Sequence, residues 1–387
     1  MYPSVEKCHV CCGPVHELDG FPSLLQVTSD CRPWRGNGQL SVCQHCGTVQ
    51  KPITENWLRE AEQIYSDYEI YSQGGGDEQS TFDQGTGTSE SRSKKIVDWL
   101  TTEHVPPETG KLIDIGCGNG AFLRAFGARY PRWQMTGLEL DCRNQQVVES
   151  IPGVIGLQVG SIESLQDRYD MIVLIHVLEH IPNPVQFLKS LTDRLNFGGL
   201  LLIEVPDMEM SPFDILIADH CTHFTADILH GVVAAAGFEA LAMKADFIPK
   251  ELSLLTQYPG DDGHRQVQQA ASLMKERFPG SGAKAAKTHI VWLKNLLEQS
   301  QALKGTVGIF GTSIAATWLA ASLGDKITFF VDEDRNRVGL SHMSRPIYNP
   351  DHAPKGSQIV VPMRSDIAVA IAKRFEELAC KFVLPSV

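Results

Sequence analysis

The chain has 387 residues, a length typical of two or three domains that each bury their own core. Its formal net charge of -12 disfavours contact with a phosphate backbone, so we expect no nucleic-acid partner. It has no apolar stretch of about 18 residues, and its first residues lack the pattern of a signal peptide. We therefore expect a cytoplasmic protein that does not contact a membrane.

Cysteines are concentrated at the start of the chain. Two Cys-x-x-Cys pairs, separated by about thirty residues, consist of Cys8, Cys11, Cys43 and Cys46. In a chain without a secretion signal, this spacing favours metal ligands over disulfides, and four thiolates suit a tetrahedral Zn²⁺ ion. Residues 1–72 are therefore predicted to form a zinc-binding module that the metal stabilises. A redox role is the alternative, although no neighbouring strand–helix–strand pattern supports it.

Residues 93–258 alternate apolar strands with helical patterns, which predicts that the domain 73–258 is an α/β domain with a Rossmann-like, doubly wound parallel sheet. The first buried strand, Lys111–Ile115, leads into a glycine-rich loop and a helix over Ala121–Arg129. Later strands are predicted at Gln134–Leu140, Leu157–Val159, Tyr169–Ile175, Leu200–Val205 and from Phe238 onward. Ligands of such folds bind at the carboxyl ends of the strands, so we expect the site there.

The glycine-rich loop reads Asp114-x-Gly116-x-Gly118-x-Gly120. Its glycines permit a tight turn and let a ligand approach the backbone. A carboxylate at Asp114 would repel a pyrophosphate, but it suits the cationic amino-acid end of S-adenosylmethionine. Glu139 ends the next strand, where an acid is expected to hold ribose hydroxyls. The loop therefore predicts an S-adenosylmethionine site rather than a dinucleotide site.

Further cofactor contacts are expected where the later strands end. Positions near the adenine and the methionine end are predicted at Leu140, Ser161, Ile162, His176 and Val177. A strand–helix turn without any ligand is the alternative for the loop alone, but four such elements in the correct order favour a cofactor site.

These motifs carry a resemblance. Residues 108–245 resemble class I methyltransferases, in particular those with the run Val-Leu-Glu-His-Ile-Pro-Asn-Pro that occurs here at 177–184. The order of the zones is similar to that of the zinc-containing sugar C-methyltransferases, which act on nucleotide-linked deoxysugars. This resemblance implies a small-molecule acceptor, a nucleotide sugar, that is methylated on carbon.

The segment after the fifth predicted strand contains two histidines and an acid, Asp219, His220 and His223. Neutral histidine is a usable general base near pH 7, and Asp219 or a neighbouring carboxylate could orient it. The resemblance implies that His220 is the base and that Asp219 replaces a glutamate. Ile217 stands where the family has a tyrosine. That departure leaves an O- or N-methyltransferase open, and the histidines could instead only tie the loop to the next helix.

Three tyrosines with helical spacing, Tyr65, Tyr68 and Tyr71, precede the class I zone. The resemblance implies that one of them reaches the active site, and Tyr71 is favoured because it lies beside a glycine-rich stretch. Packing against the core is the alternative for all three.

The last two zones are a predicted helical connector, 259–304, and a C-terminal Rossmann-like domain, 305–387. That domain carries Gly308-x-x-Gly311, which lacks the third glycine of a dinucleotide loop. The helix start at Thr312–Ser313 could hold a phosphate or could simply pack. A non-catalytic, zinc-bearing partner protein is a further alternative for the whole chain, and the oligomeric state stays open.

Overall fold

A computed structural model of the protein describes residues 7–34, 38–68, 80–82, 89–245, 247–260 and 281–386. Tyr71, one of the predicted site residues, lies outside these ranges. Among the helices described, none combines the length and the hydropathy that a membrane span requires.

The cysteine-rich segment folds into short strands, β1 (Val15–Glu17), β2 (Gln26–Val27), β3 (Pro33–Trp34), β4 (Ser41–Cys43) and β5 (Val49–Gln50). Strands β1, β4 and β5 pair antiparallel in that order, while β2 pairs with β3. Helix α1 (Glu55–Ser66) begins at Thr54, whose hydroxyl accepts a hydrogen bond from the amide of Trp57 at 3.0 Å. A hairpin of β6 (Ser80–Phe82) and β7 (Ser89–Ser91) follows.

The central domain contains a seven-stranded sheet with helices on both faces. Its elements are α2 (Arg92–Glu103), β8 (Lys111–Ile115), α3 (Ala121–Arg129), β9 (Gln134–Glu139), α4 (Gln145–Glu149), β10 (Val154–Val159), β11 (Tyr169–Ile175), α5 (Pro184–Leu191), β12 (Leu195–Pro206), β13 (Thr222–His223), α6 (Ala226–Ala236), β14 (Glu239–Lys244) and β15 (Glu251–Gln257). The strand order is β10-β9-β8-β11-β12-β15-β14. The predicted strands are all present.

The prediction of a parallel sheet is correct for six of these strands, whereas β15 runs antiparallel to both of its neighbours, β12 and β14. Only residues 245–250 separate β14 from β15. Such a link is too short for the crossover of a dozen or more residues that a parallel pair needs. The sheet is therefore mixed.

The C-terminal part contains α7 (Ser281–Ala302), β16 (Val307–Phe310), α8 (Ile314–Leu323), β17 (Ile327–Val331), β18 (Ser341–His342), β19 (Arg345–Tyr348), β20 (Gln358–Val360), α9 (Ser365–Arg374) and β21 (Lys381–Val383). Its strand order is β18-β19-β17-β16-β20-β21, and all neighbours except β18 and β19 pair in parallel. This is a Rossmann-like arrangement.

One hydrophobic core joins four parts of the chain that look separate in the sequence. It contains Val42 of the cysteine-rich segment, Phe213 of the segment after β12, Leu293 of α7 and Trp318 of α8, all buried. The predicted connector helix is therefore a core helix, and the C-terminal domain is packed against the cysteine-rich module. Two other cores cover the faces of the seven-stranded sheet.

We name residues 207–225, which leave the sheet after β12, the active-site insertion. Its strand β13 pairs antiparallel with β5 and completes the sheet β1-β4-β5-β13. His223 lies opposite Val49, and Thr222 lies opposite Gln50. The cysteine-rich module thus supplies the neighbouring strand that fixes the backbone of the insertion.

Candidate active site

The glycine-rich loop adopts a conformation that only glycine takes easily. Gly116, Gly118 and Gly120 have φ values of 72°, 56° and 78°. A Cβ atom on Gly116 would lie 2.6 Å from Cγ2 of Val177. The loop and Val177, both predicted to contact the cofactor, are therefore packed directly together.

Two predicted acids lie under and beside this loop. Glu139 accepts hydrogen bonds from the amide of Gly118 at 2.5 Å and from the amide of Leu140 at 3.2 Å. Asp114 is buried, and burial together with the charge of Glu139 raises the pKa of its carboxyl well above the ordinary value. A cation in the cleft would lower the free-energy cost of charging the buried Asp114 carboxyl, whereas a pyrophosphate would raise that cost.

The predicted adenine side of the cleft lies where β9 and β10 end. The amide of Gly160 donates to the carbonyl of Glu139 at 2.9 Å, which sets Ser161 and Ile162 beside Glu139. Ile162 is nearly buried, whereas the side chain of Leu140 is 68% exposed. An apolar side chain this exposed at a strand end is well placed to cover a flat ring.

His176 follows β11 with a left-handed backbone, φ 54°. Its Nε2 lies 2.6 Å from Nη1 of Arg92, and its Nδ1 lies 3.1 Å from Oε1 of Glu179. Because a guanidinium only donates hydrogen bonds, Nε2 accepts and Nδ1 carries the proton.

Two acids surround Arg92. Oε1 of Glu204 lies 3.6 Å from its Nε, and Oε1 of Glu251 lies 3.7 Å from its Nη2. Burial raises the pKa of Glu204 to about 7. Arg92 is not among the predicted site residues.

The candidate base is held by a carboxylate that it shares with a second histidine. Nδ1 of His220 and Nδ1 of His223 lie 2.8 and 2.6 Å from the two carboxylate oxygens of Asp214. A carboxylate only accepts, so each ring donates through Nδ1. Burial alone would raise the pKa of Asp214, but both histidines outweigh it and hold that pKa far below its usual range.

The two histidines differ in basicity. Burial lowers the pKa of His220, but its hydrogen bond to Asp214 and the charges of Asp214, Glu179 and Asp219 outweigh burial and raise it. The pKa of His223 is lowered, chiefly by burial and also by the charges of Lys51 and His220. His220 is therefore the better proton acceptor, and its Nε2 is the ring atom that can act.

The sequence predicts Asp219 or a neighbouring carboxylate as the partner of the base, and Asp219 has other partners. Its carboxylate accepts from the amide and the hydroxyl of Ser29 at 3.0 and 2.5 Å, and it lies 3.4 Å from Nδ1 of His180. Within the described residues, the acid that contacts His220 is Asp214. The one available signal for Asp214 is its position as a single acid in the apolar run Pro212–Ala218.

Among the tyrosines that the structure describes before the class I zone, Tyr65 lies at the candidate site, whereas the favoured Tyr71 lies outside the described residues. Its ring centroid lies 5.8 Å from that of His180, whose ring meets His220 edge-on at 4.6 Å. Burial raises the pKa of Tyr65 well above its usual value, which keeps the phenol neutral. Arg143, after β9, donates to the carbonyl of Tyr65 at 3.3 Å and also to that of Tyr68, so the end of α1 is tied to the segment that follows Glu139.

The four predicted zinc ligands converge. Their sulfur atoms all lie within 4.8 Å of one another, with 3.7 Å between Cys8 and Cys46 and 3.5 Å between Cys11 and Cys43. A tetrahedral site with Zn–S bonds of about 2.3 Å has edges of about 3.8 Å. Backbone amides approach the sulfurs of Cys8 and Cys43 at 3.4 Å, as expected for thiolates. The donor set fits Zn²⁺.

The cysteine cluster is connected to the active-site insertion. Nε2 of His9, which lies between the first two cysteines, is 2.8 Å from the hydroxyl oxygen of Thr222. Together with the pairing of β5 and β13, this contact links the cysteine cluster to the strand that carries His223.

At the start of α8, where a phosphate could bind, Thr312 already hydrogen-bonds with other side chains of the protein. The hydroxyl of Thr312 donates to Asp332 at 2.9 Å and accepts from Arg337 at 2.7 Å. Thr312 is buried, and the half-buried Cys31 lies near Arg337 and the amide of Ile314. This geometry favours packing over a phosphate site at Thr312–Ser313.

Fold and site together define a class of domain. The sheet has seven strands with an antiparallel hairpin at one edge. Its central strand β8 carries Asp114 and leads into the glycine-rich loop, and β9 ends in Glu139. This arrangement is the binding edge of a class I methyltransferase domain.

Comparison with known proteins supports the same class of domain. Residues 90–243 match a family model described as a methyltransferase domain. A tRNA U34 carboxymethyltransferase of Desulfotalea psychrophila is 29% identical over 116 residues, 27% of this chain and 36% of that protein. A ubiquinone biosynthesis O-methyltransferase of Idiomarina loihiensis is 27% identical over 120 residues, 28% of this chain and 49% of that protein. The chain thus spans less than half the length of these curated relatives.

A crystal structure of the 1,6-didemethyltoxoflavin N1-methyltransferase of Burkholderia thailandensis aligns with 58% of this chain and 96% of its own, at 15% identity and a TM-score of 0.41. Residues 90–243 are a methyltransferase domain of the S-adenosylmethionine-dependent class. The family match therefore confirms the methyltransferase class that the resemblance of residues 108–245 implies.

Proposed function

We propose that the protein transfers the methyl group of S-adenosylmethionine to a carbon atom of a nucleotide-linked sugar, with His220 as general base. The observation that carries this proposal is the Asp214–His220 pair at the carboxyl edge of the sheet. It lies beside His180 and Tyr65, on the side of β11 away from the glycine-rich loop. A base is needed where the acceptor must lose a proton, as at a carbon beside a ketone.

S-adenosylmethionine, when bound, supplies an activated methyl group, so the residues mainly align the acceptor and exclude water. The acidic loop residues Asp114 and Glu139 would hold its cationic and ribose groups. Nε2 of His220 takes the proton that the acceptor loses, and Asp214 stabilises the resulting imidazolium. The neutral phenol of Tyr65 is available to donate a hydrogen bond to a developing oxyanion, a role that the isoleucine at 217 cannot fill.

The cysteine cluster is proposed to hold one structural Zn²⁺ ion. Its role follows from the contacts of β5 and His9 with β13, which make the metal a support for the active-site insertion. A cytoplasmic location and the absence of a nucleic-acid partner remain predictions from composition.

The test uses S-adenosylmethionine labelled with ¹³C in its methyl group and a panel of nucleotide-linked 4-ketosugars. The carbon chemical shift of the transferred methyl distinguishes attachment to carbon from attachment to oxygen or nitrogen. We expect a carbon-attached methyl, lost in His220→Gln and kept in the control His230→Gln, whose histidine is on α6. A methyl found on oxygen or nitrogen would replace the preferred acceptor by the alternative of an O- or N-methyltransferase.

Binding without turnover of any acceptor would favour the remaining alternative, a non-catalytic zinc-bearing partner. Full turnover in His220→Gln would contradict the role of His220.

A further inference from the structure

Lys51 is a charged residue buried between the cysteine-rich module and the active-site insertion. It follows β5 directly and is 2% exposed. Its amide donates to the carbonyl of Cys221 at 3.0 Å, and its ammonium donates to the carbonyl of Ile217. Both contacts fall on the loop that carries His220, so the ammonium lies inside the insertion rather than on its surface.

A buried ammonium is costly unless opposite charges compensate it. Burial lowers the pKa of Lys51 to about 7, while Asp219 and Asp214 act in the opposite direction. The other titratable groups that face it are Cys221, Glu60 and His223. Three carboxylates, Asp219, Asp214 and Glu60, therefore face this ammonium, and Asp214 is the one that holds the candidate base.

Asp214 carries one negative charge and accepts hydrogen bonds from two imidazoles. If both rings were protonated, two positive charges would share that single charge in a buried site. Nε2 of His223 is buried and has no hydrogen-bond partner among the described residues, so a proton there would be uncompensated. The charged and titratable groups that face His223 are Asp214, Lys51, His220 and His9. His223 is thus the ring that should stay neutral.

We propose that Lys51 is a positioning residue for the base: its positive charge adds to burial in keeping His223 neutral and so reserves the Asp214 carboxylate for the imidazolium that forms at His220. The catalytic meaning of this inference rests on the proposed function, whereas the charge relation among the three side chains does not. In the methyl-transfer reaction the proton leaves the acceptor and is held on Nε2 of His220. His223 keeps its single proton on Nδ1.

The test is a titration of the protein by NMR, without cofactor or acceptor. The full chain is labelled with ¹⁵N in its histidine rings, and the signals are assigned with His220→Gln and His223→Gln. Ring ¹⁵N shifts report both the pKa and the tautomer. Lys51→Met removes the charge at similar length, Lys51→Arg keeps it, and Lys284→Met removes an exposed lysine of α7 as a control.

In Lys51→Met we expect the pKa of His223 to rise by about one pH unit. That is the effect of one charge about 10 Å away at an effective dielectric constant near 20. We expect a smaller change at His220, so the gap between the pKa values of the two histidines should narrow. Lys51→Arg and Lys284→Met should titrate like the wild type.

An unchanged pKa of His223 in Lys51→Met would overturn the inference. Equal effects of Lys51→Met and Lys51→Arg would also overturn it, because they would assign the effect to packing rather than charge. So would failure of both Lys51 variants to fold while Lys284→Met folds normally. Absence of methyl transfer to any acceptor would refute the proposed function but would leave this titration unaffected.

Discussion

Replacing Asp214 by asparagine changes the shared carboxylate while keeping the size of the side chain. The carboxylate accepts from His220 at 2.8 Å and from His223 at 2.6 Å. An amide can offer its oxygen to one ring, but its NH₂ group then faces the Nδ1 of the other. That second ring must move its proton to Nε2, and if the ring is His220 it can no longer act as a base.

The magnitude follows from these two contacts. Each hydrogen bond to a charged group contributes about 1.5–3 kcal/mol, and the amide retains one neutral bond of about 1 kcal/mol. We therefore expect Asp214→Asn to lower the free energy of unfolding by about 2–5 kcal/mol at pH 7. Loss of a general base should reduce turnover by about 10²–10⁴-fold.

The effect on stability should depend on pH in a defined direction. The native pKa of Asp214 lies below that of an unfolded aspartate, about 3.9. The carboxylate therefore stabilises the protein fully above about pH 5, and this contribution is lost as the pH falls toward the native pKa. The difference between wild type and Asp214→Asn should shrink below about pH 4.

Urea unfolding followed by circular dichroism at several pH values measures this difference. Asp193→Asn, an exposed acid near the start of β12, is the matched control and should unfold like the wild type. A difference at pH 7 below about 1 kcal/mol, or one that stays constant down to pH 3.5, would refute the reasoning about the shared carboxylate.

Two other predictions concern metal and cofactor. Cys43→Ser removes one of four converging sulfurs, so it should abolish zinc retention and speed amide hydrogen exchange in β5 and β13. Cys142→Ser replaces an exposed cysteine and should change neither. Slow amide exchange in these strands after zinc loss would disprove the link between the metal and the active-site insertion. Glu139→Ala should weaken S-adenosylmethionine binding about 10–100-fold in calorimetry, the worth of one charge-assisted hydrogen bond. Glu149→Gln is its control, and equal affinities in the two variants would remove Glu139 from the site.

Much of the central domain could be predicted because its signals are local. Apolar runs predict buried strands, and the glycines at 116, 118 and 120 predict the loop that their positive φ values require. The hairpin of β14 and β15 was harder to predict. Glu251–Gln257 alternates little, and the direction of a strand depends on the length of the link before it.

The active-site insertion was predictable only in part, because its conformation depends on distant residues. His220 and Asp219 are adjacent in sequence, which suggests a pair, yet Ser29 of the cysteine-rich module binds the carboxylate of Asp219. Asp214 reaches His220 through a turn at Asp214–Leu216 that packs into the core shared with α7. No local pattern encodes a contact formed across three parts of the chain.

The convergence of the cysteine pairs, in contrast, could be predicted from a local pattern. Their spacing predicts convergence of four sulfurs without knowledge of the fold, and the sulfurs do converge. Their connection to the active site was not predictable, because it depends on the pairing of β5 with β13 across more than 170 positions of sequence.

The central claim is that the acidic glycine-rich loop binds S-adenosylmethionine. Isothermal titration calorimetry of the purified chain with S-adenosylmethionine tests it most directly, with S-adenosylhomocysteine as competitor and NAD⁺ as the pyrophosphate-bearing control. We predict one site per chain, competition by S-adenosylhomocysteine and no heat from NAD⁺. Binding of NAD⁺ in preference to S-adenosylmethionine, or no binding of S-adenosylmethionine by folded protein, would contradict the account.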